Sequence, residues 1–120
     1  MDNGIIVLKL FLNVSKKEQK VRFLERIDEK EKNWKFSASD ALERRHWDEY
    51  MAAYEDMLNH TSTDWAPWFI VPADHKWFTR LCVSEIIVAT LKSLGLKYSK
   101  VSDEQIAELQ KAKEELLNEK

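Results

Sequence analysis

A chain of 120 residues with 44% apolar and 33% charged side chains makes about one globular domain and is not the composition of a disordered polymer. A formal net charge of −2 excludes a chain-wide attraction for nucleic acid. No apolar run reaches the roughly 18 residues of a membrane span, and no basic region precedes the first apolar stretch as a secretory signal requires.

In chain order, Ile5 to Val14 is nearly continuous apolar residue, which predicts a strand covered on both faces, as in a parallel sheet. Ser15 with Glu18 reads as a capping box opening a helix to about Asp28, with Val21, Leu24 and Ile27 on one side. The polar stretch from Asp28 to Asn33 predicts a turn. Ser37 or Ser39 caps a long helix from about Ala38 to Leu58, whose stripe is Trp47, Tyr50 or Met51, Tyr54, Met57 and Leu58. After a Thr61–Asp64 loop, Trp68 to Val71 reads as a short strand stopped by Pro72. Asp74 is placed to cap a helix ending near Leu94, where Gly95 supplies a left-handed stop. Ser102 and Gln105 box a last amphipathic helix bearing Ile106, Leu109, Leu116 and Leu117.

The order β-α-α-β-α-α predicts an α/β fold with two parallel strands. Two strands alone make a poor sheet, and the first wants neighbours that this chain barely supplies. Cys82, the single cysteine, falls in a helical apolar pattern and reads as a small buried hydrophobe; it forms no internal disulfide and suits a cytoplasmic location. The basic excess sits between Lys16 and Lys35, with eight Lys or Arg against five Asp or Glu. The three histidines lack zinc spacing, no Ser lies in a nucleophile elbow, and Gly4 and Gly95 belong to no phosphate loop. The aromatics fall in helical core patterns, which argues against a nucleic-acid stacking platform.

Glu25-Arg26, Lys32 through Ser37, Glu43-Arg44, His46 through Tyr50, Ala53 through Asp56, Thr61-Ser62-Thr63 and Ala66 through Trp77 together resemble the signature segments of the polyphosphate kinase 2 family. The resemblance runs over roughly Gly4 to Leu117. It implies a partial P-loop kinase-like fold over residues 1–120, the C-terminal half of such an enzyme, with residues 28–64 similar to the lid of related kinases. It implies phosphoryl transfer between polyphosphate and nucleoside mono- or diphosphates with Mg²⁺ in the complete enzyme. The phosphate loop and the magnesium-holding aspartates would lie upstream of Met1, so the chain alone is expected to bind no metal and to turn over nothing. Its expected partner is the missing N-terminal half or a second copy; the other reading is a non-catalytic, self-associating or partner-binding module.

Phosphoryl transfer asks for positioning and for cations around the transferring group. On that logic Lys35, Arg44, Arg26 and Arg22 are the candidate phosphate contacts, with Lys35 displayed between Trp34 and Phe36 as loop anchors. Arg44 and Arg45 point about 100° apart on a helix, and the family pattern favours Arg44. Arg22 and Arg26 share a face, where pairing with Glu18 or Glu25 is the ordinary alternative. Lys76, opening a helix after the second strand, is a fifth candidate on the nucleotide side.

Overall fold

The computed structural model describes residues 3–120. The chain forms two compact units, residues 1–88 and 89–120, with one helix running through the boundary.

In the first unit β1 (Lys9–Asn13) pairs in parallel with β2 (Trp68–Pro72), Lys9 opposite Trp68 and Asn13 opposite Pro72. The first strand is therefore shorter than its apolar run. A strand exists only where a ladder partner does, and β2 begins opposite Lys9, so Ile5 to Leu8 stay outside the sheet. The two-sided cover expected for this strand is also missing: Leu12 is 53% exposed.

Helix α1 (Lys16–Asp28) starts at Ser15, whose hydroxyl accepts the Glu18 N–H at 3.1 Å. The box is not completed by Glu18, which pairs instead with Arg22 at 3.0 Å. The Ser15 N–H is taken by the Asp74 carboxylate at 2.7 Å. Asp74 thus ties the ends of both strands together, where the sequence reading had it capping the following helix. At the other end of α1, the Asn33 amide donates to the carbonyls of Arg26, Ile27 and Glu29 at 2.9, 2.7 and 3.1 Å. One side chain so satisfies helix-end acceptors that would otherwise need water. The polar turn predicted there winds into a 3-10 segment, Lys30–Lys35.

The long helix expected from Ala38 to Leu58 divides. Helix α2 (Ala38–Glu43) is boxed by Ser37 and Asp40, a 3-10 turn covers Arg44–His46, and α3 (Trp47–Thr61) follows. Thr61, Ser62 and Thr63 then fasten α3 to the strands. Trp68 donates its indole N–H to Thr61 Oγ1 at 2.7 Å and its backbone N–H to Ser62 Oγ at 3.2 Å. Lys9 Nζ reaches the Thr61 carbonyl and stands over the Trp68 ring, while Thr63 bridges Ala66.

Helix α4 (Lys76–Ser93) ends before Gly95, whose φ of +59° is the left-handed stop that glycine allows. In the second unit α5 (Asp103–Leu117) carries the predicted Ser102–Gln105 box. Among the described residues the buried apolar set is only Ala66, Val71 and Ala73. Trp34, expected to anchor its loop, is exposed, as are Trp65 and Trp77, and Cys82, expected to be buried, is half-buried.

Hydrogen bonds to the Ser15 N–H and hydroxyl hold the Asp74 carboxyl below its ordinary 3.8. A folded-state value depressed in this way gives stability that is complete above about pH 4 and is lost as pH falls through the folded value. Urea midpoints measured on the acid side should show that loss, and Asp74→Asn should remove it. Arg22 donates to the Ala73 and Asp74 carbonyls at 2.7 and 3.1 Å. Arg22→Ala should lower stability by about 1–3 kcal/mol with an unchanged urea m-value.

Candidate phosphate-contact site

A cleft of about 370 Å³ opens between the carboxyl end of β1, α1, α2 and α3. Arg44 lies in its wall, half-buried, where the chain passes from α2 into the 3-10 turn. Its Nη1 donates to Gln19 Oε1 on α1 at 2.8 Å, and its guanidinium stands 5.9 Å from the Trp47 ring centre. Two neutral partners hold this charge in place without neutralising it. Glu43 and Asp40 line the same cleft. The Glu43 carboxylate accepts the Tyr50 hydroxyl at 2.6 Å, a bond that raises the phenol above its ordinary 10.0; Asp40 accepts the Ser37 N–H at 3.2 Å.

The ion pairs among the described residues are Arg22–Glu18, Lys32–Glu29 and His46–Glu49. Arg44, Arg26, Lys35 and Lys76 stand outside them. Lys35 closes the 3-10 segment with its ammonium 5.2 Å from the Trp34 ring centre. Only one of the two expected anchors holds this loop. Phe36 packs edge-on against Phe23 at 5.4 Å, whereas Trp34 is 78% exposed and lies under the ammonium. Arg26 is on α1 and Lys76 is the first residue of α4. Arg22 is occupied structurally: its Nε bonds Glu18 and its Nη2 the two carbonyls after β2, leaving Nη1 as the free edge.

Arg44 is the candidate that lines this cleft; Lys35, Arg26, Arg22 and Lys76 are not part of its wall. Gln19, Asp40 and Tyr50 are wall residues that the sequence reading missed. Gln19 lies 25 residues from Arg44, and no local pattern pairs positions so far apart. Tyr50 was legible only as an apolar stripe residue, and its hydroxyl bond to Glu43 reaches back across the Arg44–His46 turn.

The profile of the polyphosphate kinase 2 (PPK2) family matches residues 1–114. The chain belongs to the polyphosphate kinase 2 family. It is 66% identical over 119 residues to the protein of the chlN 3' region of Leptolyngbya boryana, spanning 99% of this chain and 88% of that one. It is 50% identical over 115 residues to the ADP-polyphosphate phosphotransferase of Rhodopseudomonas palustris, where the match covers 96% of this chain but 40% of the relative. The crystal structure of polyphosphate kinase 2 from Arthrobacter aurescens TC1 superimposes with a TM-score of 0.87 at 40% identity, over 94% of this chain and 40% of that one. The chain thus spans about two-fifths of the length of these two relatives, and its α/β fold with two parallel strands matches the Arthrobacter structure over that span.

Magnesium is implied by the family. Among the described residues no three His, Cys, Asp or Glu side chains cluster closely enough to hold a metal ion.

His46 Nδ1 lies 3.0 Å from Glu49 Oε1 at the start of α3, and the carboxylate raises the imidazole above its ordinary 6.5. Stability from a raised histidine is complete below 6.5 and is lost as pH rises through the folded value. An NMR titration should place the His46 midpoint above 6.5, and Glu49→Gln should bring it back toward that value.

Proposed function

We propose that this chain takes part in phosphoryl transfer between polyphosphate and a nucleoside mono- or diphosphate, contributing cations that close over the phosphates while the phosphate loop and metal ligands come from elsewhere. The observation that carries the reading is Arg44, held in the cleft wall by Gln19 and Trp47 with no carboxylate partner, in a chain of this family. The relatives named as phosphotransferases act on polyphosphate with ADP, and with AMP in the Meiothermus ruber protein. A guanidinium already fixed by neutral groups meets a phosphate with little loss of side-chain freedom, and its planar fork suits two phosphate oxygens.

Residues 28–64, with Lys35 and Arg44 on them, act as the lid in this reading. Lys35 is the point charge at the tip; Arg26 on α1 and Lys76 at the head of α4 are the further contacts, and the free edge of Arg22 is the last. The setting is cytoplasmic, where polyphosphate and nucleotides meet; no helix among the described residues is long and apolar enough to cross a membrane. Alone, the chain has no glycine-rich phosphate loop in its sequence and carries out no turnover.

The direct test is calorimetric titration of the 120-residue chain with long-chain polyphosphate at low and at high salt. Binding at low salt that fades as salt rises is the expected result, with Arg44→Ala weaker by about tenfold, the value of one charged hydrogen-bonding partner. Absence of binding at low salt would remove the phosphate-contact reading. A second reading, a non-catalytic partner-binding module, is favoured by the exposed apolar side chains, of which Ile70 at 58% and Ile5 at 62% are examples.

A further inference from the structure

Arg44 has carboxylates close by in the chain, Asp40 four residues before it and Glu43 immediately before it, both in the wall of the same cleft. An acid and an arginine four apart on a helix are an ordinary ion pair. Neither carboxylate is used in that way, since the ion pairs among the described residues leave Arg44 out. Asp40 Oδ2 accepts the Ser37 N–H at 3.2 Å, and Glu43 Oε2 accepts the Tyr50 hydroxyl at 2.6 Å. The side-chain hydrogen bond of Arg44 goes instead to the amide oxygen of Gln19, at 2.8 Å.

Gln19 brings a fixed acceptor to this place. It lies near the start of α1, where its N–H donates to the Ser15 carbonyl at 2.9 Å. On either side of it α1 is fastened to the end of β2: Ser15 gives its N–H to Asp74, and Arg22 donates to the carbonyls of Ala73 and Asp74. A guanidinium has donors only, so the glutamine turns its oxygen toward it. The bond engages Nη1. Among the described residues Nε and Nη2 of Arg44 donate to nothing. That edge is the one that takes two phosphate oxygens side by side. A carboxylate at position 19 would hold the guanidinium as firmly, but an arriving phosphate would then meet a charge already paired.

We propose that Gln19 is a positioning residue of the phosphate site: its neutral amide aims the Arg44 fork at a phosphate oxyanion and leaves the whole positive charge to meet it. This role rests on the phosphate-contact reading of Arg44 above; what it adds is that the partner on α1 has to be uncharged.

The test compares Gln19→Glu and Gln19→Leu with the unaltered 120-residue chain, by calorimetric titration with long-chain polyphosphate at low salt and by urea melts. Gln19→Glu keeps an acceptor at the same reach and adds a carboxylate partner, which also suits the start of a helix. It should hold or raise the urea midpoint and yet weaken polyphosphate binding about tenfold, as far as Arg44→Ala does. A residue that only supported the fold would not lose affinity while stability is kept. In an Arg44→Ala background Gln19→Glu should change binding less than about twofold, because no guanidinium is left to neutralise. Gln19→Leu removes the acceptor and leaves the charge. Binding should weaken about threefold, the cost of ordering a freed side chain, and the Arg44 Nε–H signal in ¹⁵N NMR should lose the order it has in the unaltered chain. Undiminished binding by Gln19→Glu, or an equal loss when Arg44 is already alanine, overturns the proposal. If the unaltered chain binds no polyphosphate, the phosphate reading falls and the Arg44 signal alone decides the positioning: unchanged order in Gln19→Leu overturns it, lost order sustains it.

Discussion

Five residues of β1 paired with five of β2 hold the first unit together, and both ends of that short ladder are clasped by side chains. At the carboxyl end the Asp74 carboxylate takes the Ser15 N–H, and Arg22 reaches across from α1 to the carbonyls of Ala73 and Asp74. At the amino end Lys9, Trp68 and Thr61 interlock. These polar ties matter more here than in most domains, because so little apolar surface is buried behind them. A hydrogen bond contributes little net when water competes freely, so the charged and multidentate clasps are the ones that stand in for a core.

The same clasps sort the cations by role. Arg22 spends its charge on Glu18 and two carbonyls and so fixes α1 against the end of β2. Arg44 is fixed by an amide and an indole ring, neither of which carries charge. Two arginines of similar burial therefore present different fields, and only Arg44 lines the cleft. Arg44 opens the 3-10 turn between α2 and α3, and the Tyr50–Glu43 bond spans that turn.

The exposed apolar surface and the length of the relatives describe one physical situation. A two-stranded parallel sheet is not a stable architecture by itself, since parallel strands depend on cover on both faces and on neighbours at both edges. Leu12, Ile70 and the Ile5–Val7 run lack such cover. Relatives that carry this segment as two-fifths of their length have the material to supply it.

Much of the local structure was legible in residue order. Ser15, Ser37 and Ser102 mark helix starts because a side-chain oxygen next to free amides is a local interaction, and Gly95 marks an end because a left-handed residue is a local constraint. The two strands, their parallel pairing and the family followed from hydrophobic runs and from the Asn33–Ser37 and Ala66–Trp77 segments. Tertiary structure alone decided where β1 stops, since a ladder is as long as its partner. It also turned Asp74 toward Ser15, exposed Trp34 and brought Gln19 to Arg44. Each of these joins positions dozens of residues apart or turns on which neighbours are present, and such contacts leave no periodic trace in a sequence.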